Sequence, residues 1–338
     1  MKYLLPQTQY FKASLHTHST ISDGKLTPEQ LRDAYREKDF QVLAITDHSV
    51  MISHQDLNRE DFLLITGVEI DIEEEPSREG WNRMRHFCLL SKDPGQQWIP
   101  FRDPNPIPSS VPYEAENEIE GLERAYTVEA INATIAVCNR RGCLVTYNHP
   151  GWSLENYSDY STMEGLWGLE HRNTADISQG FCDDAPHVFQ DLLCLGKTVM
   201  PVMADDTHSP IVNGMEVLGG SWTMIGADSL DYLSVMAALE KGDLYASCGP
   251  QIHSLTLEGN TLCITCSPAA RIQMVSQTRH CRLAHSETGN LTEARFDISL
   301  WRTHHSSKPH AFLRLIVTDA QGNYAVTRAY TPEELMDI

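Results

Sequence analysis

The chain has 338 residues, of which 41% are hydrophobic, and a formal net charge of -20 at pH 7. This length and composition are those of a globular protein with one large domain, or with one large and one small domain. The negative charge argues against general DNA or RNA binding, because an acidic surface repels the phosphate backbone. We therefore expect no stable nucleic-acid partner.

The sequence gives no sign of a targeting segment or of disulfides. It has no apolar run of about 18 residues, which a membrane span requires, and its start, MKYLLPQTQYFKAS, is too polar for a signal peptide. The nine cysteines are scattered, and the CxxC of Cys263 and Cys266 lacks the second pair that a zinc ribbon needs. These features predict a cytoplasmic protein with reduced thiols and no membrane partner.

The first 250 residues alternate short apolar runs with helical patterns. The first helix is predicted in TPEQLRDAYREKD, where Thr27 is the N-cap, Pro28 the first helical residue and Gln30 the capping-box partner. Further helices are predicted at VEAINATIAVCNRRG and SLDYLSVMAALEKGD. Strands that end in polar residues are predicted at SLHTHS, VLAITDHS, FLLITGVEI, HFCLLS, CLVTYNHP, LWGLEHRN and VMPVMADDTHS. This alternation predicts an α/β fold with mainly parallel strands.

Residues 93–125 interrupt the alternation. They contain several prolines followed by the acidic stretch EAENEIEGLE. We interpret them as a surface insertion, either a lid over a functional site or a solvated loop with no role in chemistry.

The character of the sequence changes after residue 252. Strands separated by turns are predicted at IHSLTLEGNTLCITC, RIQMVS, ARFDISLW and AFLRLIVTDAQGNYAVTRAY. We therefore predict a large domain of residues 1–252 and a small antiparallel β domain of residues 253–338. The β domain could recognise a ligand or partner, cover an edge of the first domain, or form a dimer contact. The sequence does not predict the oligomeric state.

Nine residues at or just after predicted strand ends have side chains that bind divalent transition ions. They are His16, His18, Asp23, His48, Glu69, His86, His149, Asp206 and His208. His16 and His18 are two residues apart, so both imidazoles can lie on the same side of a strand. A single His at a strand end is more often structural, but this number at successive strand ends favours a metal site. In α/β barrels the active site lies at such ends.

The order HTHS, D, TDH, GVE, H, NHP, DDTH resembles the PHP (polymerase and histidinol phosphatase) superfamily over about residues 12–250. The stretch from SWTMIG through LEKGDLYASCGPQIHSL, followed by a β domain, is similar to its CehA/McbA-like branch. This resemblance implies a distorted (β/α)7 TIM-like barrel with a C-terminal antiparallel β-sandwich-like domain. It also implies phosphoesterase activity, or the carbamate-ester hydrolysis found in that branch.

The resemblance further implies three groups of metal ligands, which would hold two or three divalent ions of Mn, Fe or Zn. The first group is His16, His18, Glu69 and Asp206; the second is Asp23, His48 and His208; the third is His86 and His149, with Glu69 bridging. Many relatives have His where this chain has Asp23. Because a carboxylate is a harder ligand than an imidazole, Asp23 favours manganese or iron over zinc.

Two further residues are predicted to act on the substrate. Arg172, at the tip of LWGLEHRN, is the preferred cation for holding a phosphate, with Arg83 and Arg85 as alternatives. His171 is a candidate for protonating the leaving group, because a histidine titrates near neutral pH. Neighbours on a strand face opposite sides, so we expect only one of His171 and Arg172 to line the site.

The predicted function is metal-dependent hydrolysis of a small phosphoester, either a phosphorylated metabolite or a nucleotide. A hydrolase of carboxylic or carbamic esters with the same metal site is the first alternative. The second alternative is a metal-stabilised binding protein without turnover, which a site with open coordination positions disfavours. The sequence contains neither GxSxG nor a P-loop, which argues against an acyl-enzyme and against NTP binding.

Overall fold

The computed structural model describes residues 1–75, 82–100 and 122–336. Residues 101–121 of the predicted insertion lie outside the described residues, so its interpretation as a lid stays a prediction. The helices are α1 (Pro28–Arg36), α2 (Val128–Arg140), α3 (Tyr157–Tyr160), α4 (Thr174–Gln179), α5 (Pro186–Cys194), α6 (Tyr232–Lys241), α7 (Ser299–His304) and α8 (Pro332–Leu335), with a 3-10 turn at Gln55–Leu57. None of these described helices has the length and apolar character needed to cross a bilayer.

The strands fall into an N-terminal and a C-terminal series. The first series is β1 (Lys2–Tyr3), β2 (Gln9–Ser14), β3 (Val42–Ile45), β4 (Leu63–Glu73), β5 (Met84–Ser91), β6 (Cys143–Tyr147), β7 (Gly168–Asn173), β8 (Met200–Ala204), β9 (Ile211–Val212), β10 (Met215–Glu216), β11 (Trp222–Ala227) and β12 (Leu244–Ser247). The second series is β13 (Ile252–Glu258), β14 (Thr261–Ala269), β15 (Arg271–Ser276), β16 (Arg282–His285), β17 (Leu291–Asp297), β18 (Leu313–Thr318) and β19 (Tyr324–Thr327).

The largest sheet is 13-stranded, in the order β16-β15-β18-β19-β12-β11-β2-β3-β4-β5-β6-β7-β8. Strands β2, β3 and β4 are parallel, and so are β6, β7 and β8. Strand β5 runs antiparallel between β4 and β6, and β11 runs antiparallel to β2. The α/β class is therefore confirmed, but the sheet is mixed rather than mainly parallel.

The closed TIM-like barrel that the resemblance implies is not observed among the described strands, since β8 and β2 form no ladder with each other. Two backbone hydrogen bonds join the segments that follow these strands: Asp206 N donates to His16 O, and His18 N donates to Thr207 O, both at 3.1 Å. Asp206 has a φ of 52°, outside the extended region, so the chain turns before a ladder can form. The sheet is open, and its last strand, β8, approaches β2 through these two bonds.

The first helix forms as its sequence predicts. Thr27 is the N-cap, and its side chain accepts a hydrogen bond from Gln30 N while the Gln30 side chain accepts one from Thr27 N. The capping box satisfies two backbone donors that would otherwise lack partners at the helix start. Leu31 and Tyr35 on its inner face are fully buried, against Phe40 among others. The helix thereby packs on residues of β3 and β4, among them Leu43 and Leu64.

The C-terminal part is antiparallel, as predicted. A second sheet, β1-β13-β14-β17, packs on β15 and β18 through an apolar cluster that includes Leu255, Ile264, Met274 and Leu315. Strand β19 continues the large sheet by pairing with β12, and β1 pairs with β13. Because strands from both predicted domains share these sheets, the boundary between residues 252 and 253 stays a prediction.

Candidate metal centre

The predicted ligands come together where the parallel strands end, with Glu69 at the centre. The Glu69 side chain is 1% exposed, and its two oxygens lie 3.1–3.3 Å from ring nitrogens of five histidines. These histidines are His16, His18, His48, His86 and His149. One carboxylate thus faces imidazoles from four separate loops and strands.

Five groups of possible ligand atoms occur among the described residues, each with its atoms within 4.8 Å of one another, and three of them consist of predicted ligands alone. These three are His16, His18, Glu69 and Asp206; His18, Asp23, His48 and His208; and Glu69, His86 and His149. Asp206 Oδ1 lies 3.2 Å from His16 Nε2 and 3.0 Å from His18 Nε2. Asp23 Oδ1 lies 3.4 Å from His208 Nε2. The grouping matches the predicted sets, with His18 shared between two of them; the assignment of ions to these groups stays a prediction.

The backbone around the site is strained at two of the ligands. His149 has a φ of 23° and Asp206 a φ of 52°, in a region that residues other than glycine rarely adopt. Such positions cost about 1–3 kcal/mol each and persist when neighbouring contacts fix them. Here His149 N donates to Glu170 Oε2 at 2.9 Å, and Asp206 N donates to His16 O at 3.1 Å. Hydrogen bonds between residues of the site therefore hold the strained backbone of His149 and Asp206 in place.

Positive charge stabilises the buried carboxylates of the site. Burial by itself would raise the pKa of Glu69, but His16 and His86 hold this pKa well below its usual range. Burial by itself would lower the pKa of His18, but Asp206 and Glu69 raise this pKa to about 9. Protons on buried imidazoles thus neutralise buried carboxylates, and a divalent cation would supply the same charge in their place.

The donor set fits such a cation. His86 Nε2 is buried and has no hydrogen-bond partner among the described residues. Buried polar atoms normally have a partner, so atoms without one indicate a missing ligand, water or ion. Imidazole and carboxylate together are the donors preferred by Mn, Fe and Zn.

Three polar residues that the sequence analysis did not single out orient these ligands. Glu170 Oε1 lies 3.0 Å from His16 Nδ1, Asn148 Nδ2 donates to Glu69 Oε1 at 2.8 Å, and Asn173 Nδ2 donates to Asp206 Oδ2 at 3.0 Å. Such outer partners fix the orientation of metal-binding side chains. The available signal was that each lies in or directly after a predicted strand with a polar tip.

Asp176 was also missed, because an Asp in the first turn of a helix is an ordinary helix-start residue. It is buried in the first turn of α4, and its carboxyl oxygen forms a further group with His149 and Asp206. Burial raises the pKa of Asp176 to about 8; His149 opposes this rise, and the Asp206 carboxylate adds to it.

A cavity of about 560 Å³ opens above the three groups. Its floor carries ligands from all three groups, among them Asp23, Glu69 and His149. Apolar side chains form part of its wall: Met84, Trp152, Ala175 and Val212. The described residues that line it include no Lys or Arg. A small organic molecule could therefore reach the candidate ligands and contact an apolar surface.

The structure does not bring His171 or Arg172 into this cavity. The His171 ring is buried against Phe189 and Tyr324, with Nδ1 3.0 Å from Tyr324 Oη, and burial lowers its pKa to about 3. Arg172 Nη1 lies 3.3 Å from Asp184 Oδ2. The register of β7 against β8 shifts between Glu170 and Arg172. This bulge interrupts the alternation of faces, so Arg172 does not follow Glu170 to the site.

The two alternative cations are engaged elsewhere. Arg83 pairs with Glu74 and Asp159, and the buried Arg85 pairs with Glu155. Neither lines the cavity among its described residues. The phosphate-binding and proton-donating roles that the sequence suggested thus remain predictions without a contact at the cavity.

An open α/β sheet that carries a buried cluster of histidines and carboxylates at its strand ends defines a candidate metalloprotein. Residues 14–169 match the model of the PHP domain. Seven of the nine predicted ligands lie in the matched range, and Asp206 and His208 follow it.

Comparisons with other proteins add three solved structures. A two-domain protein of Bacteroides vulgatus, described as containing a predicted PHP-like metal-dependent phosphoesterase, is 17% identical, with 98% of each chain covered and a TM-score of 0.46. A candidate metal-dependent phosphoesterase of Bifidobacterium adolescentis is 15% identical, covering 63% of this chain and 93% of its own, with a TM-score of 0.36. An amidohydrolase of Chromobacterium violaceum with bound sulfate and no metal is 15% identical, covering 69% and 96%, with a TM-score of 0.41. No curated protein matches the chain.

Proposed function

We propose that this protein is a metal-dependent phosphoesterase that hydrolyses a small phosphorylated metabolite or nucleotide with two or three divalent ions of Mn, Fe or Zn. The observation that carries this proposal is the convergence of five histidines on Glu69, with Asp23, Asp206 and His208 in the adjoining groups, beneath an open cavity. A purely structural metal site is enclosed by protein ligands, whereas a catalytic site keeps positions open. The match of residues 14–169 to the PHP domain also supports it.

Divalent ions at these groups would supply Lewis acidity, which generates a nucleophile from water near neutral pH and neutralises charge on the reacting group. The chain's own residues supply the geometry. Glu69 supplies possible ligand oxygens both to the group with His16, His18 and Asp206 and to the group with His86 and His149. Glu170 orients the His16 ring through a contact with Nδ1. Asn148 and Asn173 hold the carboxylates of Glu69 and Asp206. The active-site geometry is thereby set before substrate binds, which reduces reorganisation during the reaction.

A hydrolase of carboxylic or carbamic esters is the second candidate, and one observation favours it. A phosphate group is usually held by Arg or Lys, and none occurs among the described residues that line the cavity. An uncharged ester needs no such cation and could pack on Met84 and Trp152 in the cavity wall. The similarity of the sequence to the CehA/McbA-like branch supports the same alternative.

A substrate panel on protein loaded with Mn²⁺, Fe²⁺ or Zn²⁺ separates these candidates. We expect phosphate release from p-nitrophenyl phosphate or nucleoside monophosphates, or p-nitrophenol release from bis(p-nitrophenyl) phosphate, lost on chelation and restored by adding metal. Turnover of p-nitrophenyl acetate or a carbamate ester without phosphate release would favour the second candidate. Bound metal without turnover of any of these compounds would instead indicate a metal-stabilised binding protein.

A further inference from the structure

Asp176 is a buried carboxylate at the cavity that none of the predicted ligand groups includes. The residue is 3% exposed, and it lines the cavity together with His149 and Asp206. Its Oδ2 is buried and has no hydrogen-bond partner among the described residues. Its backbone position is fixed, because Asp176 N donates to Asn173 Oδ1 at the start of α4. The side chain is thus presented to the cavity from a defined point.

The neighbouring buried carboxylates differ from Asp176 in having donors. Asp183 accepts from Gly151 N and Trp152 N, and Glu170 accepts from His149 N. Leaving a buried carboxyl oxygen without a donor costs free energy, because the oxygen loses hydration and gains nothing in return. An oxygen in this condition, in a residue that lines a cavity, points to a partner that comes from solution.

The geometry indicates a cation as that partner. Possible ligand atoms of His149, Asp176 and Asp206 lie within 4.8 Å of one another. The two carboxylate oxygens of Asp206 have different neighbours. Oδ1 faces His16 and His18, and Oδ2 lies 4.0 Å from His149 Nε2. His149 Nε2 also lies 3.2 Å from Glu69 Oε1. An ion beside His149 would therefore have carboxylates on two sides.

We propose that Asp176 is a ligand of an ion beside His149, with Asp206 as the third side chain that binds it. This inference depends on the proposed function, because it requires that the groups around Glu69 bind metal. A second carboxylate makes this position harder, and an octahedral ion such as Mn²⁺ keeps open coordination positions with three protein ligands. The consequence is that the full chain binds three ions rather than two.

The test compares the metal content of wild type, Asp176→Asn and Gln179→Ala. The Asn side chain keeps the size of Asp but removes the charge, and Gln179 lines the same cavity from the same helix without being an ordinary metal ligand. Each protein is dialysed against a series of buffered Mn²⁺ concentrations, and Mn per chain is measured by elemental analysis. We expect three equivalents in wild type and Gln179→Ala. In Asp176→Asn one equivalent should bind at least about tenfold more weakly, as expected for loss of a group that supports an ion.

Thermal unfolding of the metal-free proteins shows whether the loss reflects misfolding. Replacing an unpaired buried carboxylate with a neutral amide should leave the metal-free Tm of Asp176→Asn equal to that of wild type or raise it. Equal Mn content and affinity in Asp176→Asn and wild type, with wild type binding metal, would overturn this inference alone. A wild type that binds no divalent metal at all would overturn the proposed function as well.

Discussion

Two of the ligand groups differ in how the protein surrounds them. His16, His18, Glu69 and Asp206, which we call the inner group, are all buried. The outer group of Asp23, His48 and His208 faces the cavity, with the Asp23 and His208 side chains 43% and 35% exposed. Glu170, Asn148 and Asn173 orient the inner ligands through contacts of 2.8–3.0 Å. In the outer group, the Asp23 oxygens lie farther from the histidine nitrogens that they face, at 3.4–3.8 Å.

This difference is invisible in the sequence, where the pair His16 and His18 and the pair Asp206 and His208 have the same spacing. Ligand type and spacing in the sequence can therefore identify a metal site. The affinity for each ion depends in addition on the burial of the ligands and on the hydrogen bonds that orient them. We therefore expect a tightly bound ion at the inner group and an exchangeable one at the outer group. Four substitutions test this comparison, beginning with the residue that joins the groups.

Glu69→Gln should have the largest effect, because it removes the negative charge that five imidazoles share. Loss of an outer partner typically costs about 10–100-fold in metal affinity or activity, so loss of this ligand should cost more than about a hundredfold. The measurement is kcat/KM at saturating Mn²⁺ together with Mn per chain. Glu258→Gln, at the end of β13 with a side chain that is 40% exposed, is the matched control and should behave as wild type. Full activity in Glu69→Gln would remove Glu69 from the centre of the site.

His16→Ala and His208→Ala break the inner and outer groups separately. In His208→Ala, activity should return at high Mn²⁺, because the exposed group exchanges its ion with solvent. In His16→Ala, added metal should not restore activity, because the vacancy is buried and Asp206 loses a partner 3.2 Å away. Titrating activity against Mn²⁺ for both variants gives the result. Equal recovery of the two would mean that burial does not distinguish the groups.

Glu170→Gln tests whether the outer hydrogen bonds contribute to the tightness of the inner group. Glu170 Oε1 lies 3.0 Å from His16 Nδ1, an arrangement that orients an imidazole ligand and raises its basicity. We expect Mn²⁺ to bind the inner group about 10–100-fold more weakly, with the fold unchanged. Competition with a fluorescent chelator measures this affinity. The affinity of the outer group serves as an internal reference within the same protein, and a parallel loss at both groups would contradict a local role for Glu170.

The sequence predicts the parts of this architecture that depend on local pattern. The capping box of Thr27 and the two-residue spacing of His16 and His18 act over a few residues, and both occur as expected. The α/β class also follows from local alternation. Where pairing depends on residues far apart, the pattern is insufficient. Strand β1 pairs with β13 across most of the chain, and β5 enters the sheet antiparallel.

The contacts of Glu170 and Asn173 with the inner ligands could not be predicted from the sequence for a different reason. Glu170 and Asn173 both contact inner ligands although they are three positions apart, which a regular strand with a period of two does not allow. The register shift in β7 permits it, and a bulge leaves no residue signature here, since no glycine marks it. The same shift directs Arg172 toward Asp184.

Arg172→Ala provides the smallest expected effect and tests that shift in β7. If the observed register is retained in solution, Arg172 stays beside Asp184 outside the cavity, and its removal should change phosphatase kcat/KM by less than about threefold, because exposed ion pairs contribute little. The comparison with Glu170→Gln is direct, since the two residues are two apart on one strand. A loss of a hundredfold in Arg172→Ala, with Mn content unchanged, would show that Arg172 holds the phosphate. That result would mean that β7 has a regular register when substrate is bound, and that the contact of Glu170 with His16 belongs to the substrate-free protein.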